Sequence, residues 1–170
     1  WRMGANGSVM KYEVVVGEKG VVGAFGKAVT QGLEWLYPLI RKDNSSATVA
    51  LTADLKEFKN YSFTGDLNND YQSKVLAAQV SGFYRDPNPG GGVGTYSVQL
   101  NHGELLLDGS TTMQRSMGKA GPKTDGPFNK LKVTGTWQQP LSTQTSAFVS
   151  FTGQLADKNL DSSEKMQLGG

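Results

Sequence analysis

The sequence predicts an all-β fold, an antiparallel up-and-down meander of about seven strands. Three observations predict it. Seven stretches alternate apolar and polar side chains with the period of two that a strand imposes. The segments between them are alternately short and long, as in a meander with tight turns at one end and loops at the other. Aromatic residues gather just before a proline where strands run into the short turns. Composition agrees: 170 residues with 22 Gly, 37% hydrophobic and only 19% charged, are turn-rich and strand-rich and suit one domain.

Each element has its own warrant. The strands are expected at about 1–15, 26–38, 47–60, 71–85, 92–107, 128–139 and 145–157. The third is the clearest: Val49, Leu51, Ala53 and Leu55 alternate with Thr48, Ala50, Thr52, Asp54 and Lys56. In the fifth, Tyr96, Val98 and Leu100 oppose Thr95, Ser97, Gln99 and Asn101. In the sixth, Leu131, Val133, Gly135 and Trp137 oppose Lys130, Lys132, Thr134, Thr136 and Gln138. The connections "RKDNSS" (41–46), "DPNPGG" (86–91) and "PLSTQT" (140–145) are short. Those near 16–25, 61–70, 108–127 and from 158 onward are expected to be longer, being rich in Gly, Asp, Asn and Ser. The stretch 109–127 reads as a mobile loop.

Such strands have one dry and one wet face, and the pattern alone leaves open which points outward. A soluble sandwich or lipocalin-like binding module turns its apolar face into a core. An outer-membrane barrel turns it to lipid, with short periplasmic turns, long external loops and aromatic girdles. Trp35 and Tyr37 before Pro38, Phe83 and Tyr84 before Pro87, and Trp137 before Pro140 are the candidate girdle. The shallow apolar rows contain Ala and Gly, which lipid tolerates and which leave voids in a soluble core. On the barrel reading Arg2, Glu34, Asp54, Lys56, Lys130 and Lys132 line the lumen, because a charge facing lipid at mid-depth costs about 2–4 kcal/mol.

Catalytic chemistry finds no foothold. Cysteine is absent and His102 is the only histidine, which excludes thiolate sites, histidine-based zinc clusters and a Ser-His-Asp triad within these residues. By alternation His102 sits on the apolar row, near the long-loop end. The sequence "NPGGGVG" (88–94) lacks the helix and the Lys-Ser/Thr ending of a phosphate loop and reads as a tight turn. A net charge of +2, with 17 Lys and Arg scattered among 15 acids, argues against nucleic acid. No run of about 18 apolar residues exists for a helical span, a test that strands escape. No enzyme, cofactor, metal or small-molecule substrate is expected. The chain opens on Trp1 and closes on two glycines, and so reads as an excerpt of a longer protein.

The last 18 residues, "GQLADKNLDSSEKMQLGG", resemble the conserved sixth extracellular loop of two-partner secretion transporters, where an "LDSSEKF-x-LGG" stretch leads into a Val-Arg-Gly-Tyr/Phe motif. Leu160, Asp161, Ser162, Ser163, Glu164, Lys165, Leu168, Gly169 and Gly170 match it, and Met166 replaces the usual aromatic. "GLEWLYPLIRKDNSSATVAL", "GGGVGTYSVQLNHGELLLD" and "FNKLKVTGTWQQPL" are similar to strands of the same family, in the same order. The resemblance implies that residues 1–170 are a partial barrel domain, about strands five to eleven of a 16-stranded transmembrane β-barrel in the bacterial outer membrane. It also implies a plug helix and periplasmic domains elsewhere. The partners implied are membrane lipid and one secreted exoprotein, a haemolysin, adhesin or toxin exported without ATP. A porin or a barrel-assembly factor is the nearest alternative barrel.

Overall fold

The computed structural model describes residues 1–16, 21–62, 64–107 and 121–166. Seven strands follow one another: β1 (Arg2–Val16), β2 (Val21–Lys42), β3 (Ser45–Ser62), β4 (Leu67–Arg85), β5 (Val93–Leu107), β6 (Gly126–Pro140) and β7 (Ser146–Ala156). They form one sheet in sequence order, each pair antiparallel. The expected all-β meander is therefore what the chain adopts.

Strand boundaries extend beyond the expectation, most at the long-loop end. β2 begins at Val21 and β4 at Leu67, inside stretches read from composition as long loops. Polar residues there still join the ladder. Lys59 opposite Asp70 closes an ion pair at 3.2 Å, and Phe25 stacks on Tyr61 with ring centroids 5.1 Å apart. Between β3 and β4, Gly65 takes a φ of 86° that other residues resist. Residues 108–120, most of the stretch expected to be a mobile loop, lie outside the described residues.

The register fixes the faces, since paired residues point the same way and neighbours along a strand point oppositely. One face carries Thr30, Lys56, Ser73 and Leu105 in one cross-strand row and Gln79, Gln99, Lys132 and Gln154 in another. The other carries Leu33, Ala53 and Leu76, then Val80, Val98, Val133 and Gly153. Its large side chains are open: Leu76 is 60% exposed, Leu100 61% and Leu155 72%. A contiguous exposed apolar face of this kind marks a surface made for lipid or a partner.

Strand length has the same meaning. A strand crosses a bilayer in about 9–11 residues, yet β2, β3 and β4 have 22, 18 and 19. The apolar row of β4 runs from Leu76 to Tyr84 and then gives way to Lys74, Gln72 and Asp70. Those strands continue past the greasy belt as a polar extension at the long-loop end. Short connections close the other end: Asp86 donates its N–H to the Gly92 carbonyl at 2.9 Å, and Leu141 donates to that of Thr145 at 2.9 Å. Pro38, which lacks an N–H for the ladder, sits at a bulge between β2 and β3.

Candidate conduit wall and its clasp

Arg2, Glu34, Asp54, Lys56, Lys130 and Lys132 all project from the polar face. Arg2 pairs with Leu36, two positions along β2 from Glu34; Glu34 faces Thr52, two positions from Asp54; Lys130 and Lys132 face Asn101 and Gln99. They are not one cluster. Lys56 and Lys130 meet, while Arg2, Glu34, Asp54 and Lys132 stand apart along the polar face.

The meeting point is made by the segment after β7. Asp157 accepts hydrogen bonds from the backbone N–H of Asn129 at 2.9 Å and from its side-chain amide at 2.6 Å. These bonds hold its carboxyl below the ordinary range. Lys158 donates to the Asp125 carbonyl and Asn159 to that of Pro122, at 3.0 Å for the latter. So anchored, the chain turns over the end of the sheet and lies on the polar face. Leu160 packs with Val75 and Phe128, the three forming a small apolar cluster with exposures of 5%, 8% and 2%. Gly103 lies beneath the Phe128 ring, where any Cβ would collide with it.

A tight turn follows. The Asp161 carboxylate accepts from the N–H and hydroxyl of Ser163 at 2.9 and 2.8 Å, and its carbonyl accepts from the N–H groups of Glu164 and Lys165. The turn aims Glu164 down at the sheet, where its side chain is 2% exposed. One carboxylate oxygen accepts from Lys56 and from the Ser73 hydroxyl, both at 3.0 Å; the other accepts from Lys130 at 2.5 Å. Lys130 also reaches the Glu164 carbonyl at 3.2 Å. Burial pushes the Glu164 carboxyl up, but the Lys130 hydrogen bond and the charges of Lys56 and Lys130 outweigh it and leave the group below the usual carboxylate range.

Of the loop motif, then, Leu160, Asp161, Ser163 and Glu164 have defined work. Ser162 is exposed and bonds only weakly to Asp161 at 3.5 Å, and Lys165 is exposed. Leu168, Gly169 and Gly170 lie outside the described residues. Ser73, Val75, Phe128 and Gly103 escaped the sequence reading. An aromatic interrupting the polar row of β6, across from a glycine, was the signal available for two of them.

On the apolar face Trp35 stacks on Tyr37 at 5.8 Å and Tyr84 on Trp137 at 6.5 Å. Trp137 covers Gly94 and Gly92, and its indole N–H donates to Gln139 at 3.2 Å. All four lie toward the short turns. Phe83 does not join them. Next to Tyr84 in a regular strand it must point the opposite way, and it faces Thr95 and Ser46 on the polar side. His102 lies on the apolar face, exposed, with Nδ1 2.8 Å from the Asn129 side-chain oxygen.

No curated protein and no solved structure gives a match to this chain. A family model does, that of the haemolysin secretion/activation protein ShlB/FhaC/HecB, over residues 1–170. That family consists of outer-membrane β-barrel transporters that act in haemolysin secretion. With a two-faced meander and a match along its full length, the chain belongs to the ShlB/FhaC/HecB haemolysin secretion/activation family.

Proposed function

We propose that this chain forms one wall of an outer-membrane conduit that passes a partner exoprotein to the cell surface without ATP. In this reading the apolar face meets lipid and the polar face borders the passage of a 16-stranded barrel. An extended polypeptide carries its peptide groups unpaired. Each such group costs several kcal/mol when exposed to hydrocarbon, and a wall of Thr, Ser, Asn, Gln and charged side chains spares it that exposure. Arg2, Glu34, Asp54, Lys56, Lys130 and Lys132 are the wall's charges, and Trp35, Tyr37, Tyr84 and Trp137 its periplasmic girdle. The segment from Asp157 to Met166 lies in the passage as a folded-in loop. One observation carries the reading: the chain's own loop is docked on the polar face, while the exposed face is the greasy one.

Single cysteines test it, because this segment has none of its own. In the intact transporter in membranes, a water-soluble maleimide is expected to label Gln99→Cys and Lys132→Cys, with Val98→Cys and Val133→Cys protected. Labelling of the second pair and not the first refutes the assignment of faces. Charge reversal at Lys130 and Lys132 together is expected to change the ion selectivity of the pore in planar bilayers; unchanged selectivity counts against a lumenal position.

A further inference from the structure

We infer that Lys56, Lys130 and Ser73 form a carboxylate receptor on the conduit wall, which Glu164 occupies at rest and an acidic side chain of the passenger takes over during transit. The inference rests on the secretion reading above for the identity of the visitor, and on geometry alone for the site.

Three donors from three different strands converge on one point. Lys56 comes from β3, Ser73 from β4 and Lys130 from β6, and all reach the Glu164 carboxylate within 3.0 Å. Lys56 and Ser73 are cross-strand partners, so their spacing is fixed by the ladder. Lys130 is seated against Phe128, its ammonium 5.8 Å from the ring centroid. These constraints belong to the sheet and persist when the loop moves. The two ammonium groups share this carboxylate as their one ion-pair partner among the described residues. If Glu164 withdraws, two cations and a hydroxyl are left aimed at the same spot, and mutual repulsion favours any carboxylate that arrives.

The occupant is held by a short lever. Glu164 sits on a single turn closed by Asp161, and Leu160 is the loop's one side chain in the apolar cluster. Displacing Glu164 therefore does not require Asp157 to leave Asn129. Exchange of one carboxylate for another keeps the charge count in the site constant, so passage of an acidic residue avoids the penalty of an emptied, doubly cationic pocket.

The test uses the intact transporter in planar bilayers with poly-L-glutamate as probe and poly-L-lysine as control. Glu164→Gln, which frees the lysines, is expected to lower the half-blocking concentration of poly-L-glutamate by about tenfold relative to wild type. Adding Lys56→Gln and Lys130→Gln is expected to abolish that gain. Where the triple variant does not assemble, either lysine change alone on the Glu164→Gln background is expected to raise the half-blocking concentration by about tenfold. Equal block of all variants by poly-L-glutamate, or the same variant-dependent changes in block with poly-L-lysine, overturns the receptor. Failure of the wild type to export any partner exoprotein from cells, with lysine-dependent block intact, overturns the secretion reading and leaves the receptor standing.

Discussion

Replacing Glu164 by Gln removes one negative charge from a site that holds it with two ammonium groups and a hydroxyl, and the cost follows from how wet each partner is. Breaking a fully buried ion pair by deleting one partner costs about 3–5 kcal/mol. Here Glu164 is 2% exposed, but the Lys56 side chain is 27% exposed and that of Lys130 14%. Both cations keep part of their hydration, and the Gln carbonyl still accepts one of the three bonds. Discounting for that leaves about 2 kcal/mol, a factor of roughly 30 in the balance between docked and undocked loop. Amide hydrogen exchange reads this directly, because the N–H groups of Glu164 and Lys165 are bonded to the Asp161 carbonyl only while the turn is formed. In the intact transporter the peptide spanning 157–166 is expected to lose roughly 30-fold of its protection in Glu164→Gln, with peptides from β3 and β4 unchanged. Protection within a factor of about two of wild type means that the clasp contributes nothing net, and the reasoning fails.

Three further outcomes follow from the same site. Leu160→Ala empties a small cluster and is expected to cost about 2 kcal/mol, the lower end for buried leucines, read as a comparable loss of loop protection. Gly103→Ala forces the Phe128 ring out of its seat, and the overpacking of about 1–3 kcal/mol is expected to loosen the loop without any change in the loop's own sequence. Acid weakens the clasp: the Glu164 carboxyl titrates below its ordinary value of 4.5 when docked, so docking keeps its full stability above that pH and loses it as the pH falls through the lowered value. Protection corrected for intrinsic exchange is expected to be flat from neutral pH to about 5 and to drop below about 4.5, and a flat profile throughout refutes the role of the carboxylate.

Alternation made the middle of each strand legible, because Val49 to Lys56 or Lys130 to Gln138 state their faces in pairs of residues. It failed where composition and pairing disagree. "SFTGDLNND" reads as a loop by its Gly, Asp and Asn, yet Asn69 pairs with Asn60 and Asp70 with Lys59, because a strand already held on one side offers a ladder to almost any residue. Phe83 was misplaced in the girdle for a simpler reason. Proximity to a proline sets depth along the strand, whereas parity sets the face.

The clasp was illegible for a physical reason. Glu164 and Lys56 are 108 positions apart and Glu164 and Lys130 are 34 apart, and neither separation carries a local signal. Their meeting depends on the register of four successive strands and on where the chain after Ala156 turns back. The motif singled out the residues of the loop. It was silent on what they touch.

Two independent senses of direction decide how the wall is built. Along β4 and β5 the alternate positions Ser73, Val75, Ala77 and Asn101 are buried, while Leu76, Val80, Val98 and Leu100 between them are 40–61% exposed. The buried set shares its face with Lys56, Asp54 and Lys130; the exposed set is apolar through the belt and gives way to His102, Lys74 and Glu104 toward the long-loop end. Lys56 and Lys130 stand three strands apart and four residues out of register, about 14 Å across and about 13 Å along a flat sheet, yet meet at one carboxylate, as side chains do on the hollow side of a curved sheet. A lipocalin-like barrel curved in this sense puts its greasy residues in the hollow and its lysines outside. In this chain geometry and chemistry are opposed in the other way, polar within and apolar without, which is the arrangement that is stable only when the solvent outside is hydrocarbon.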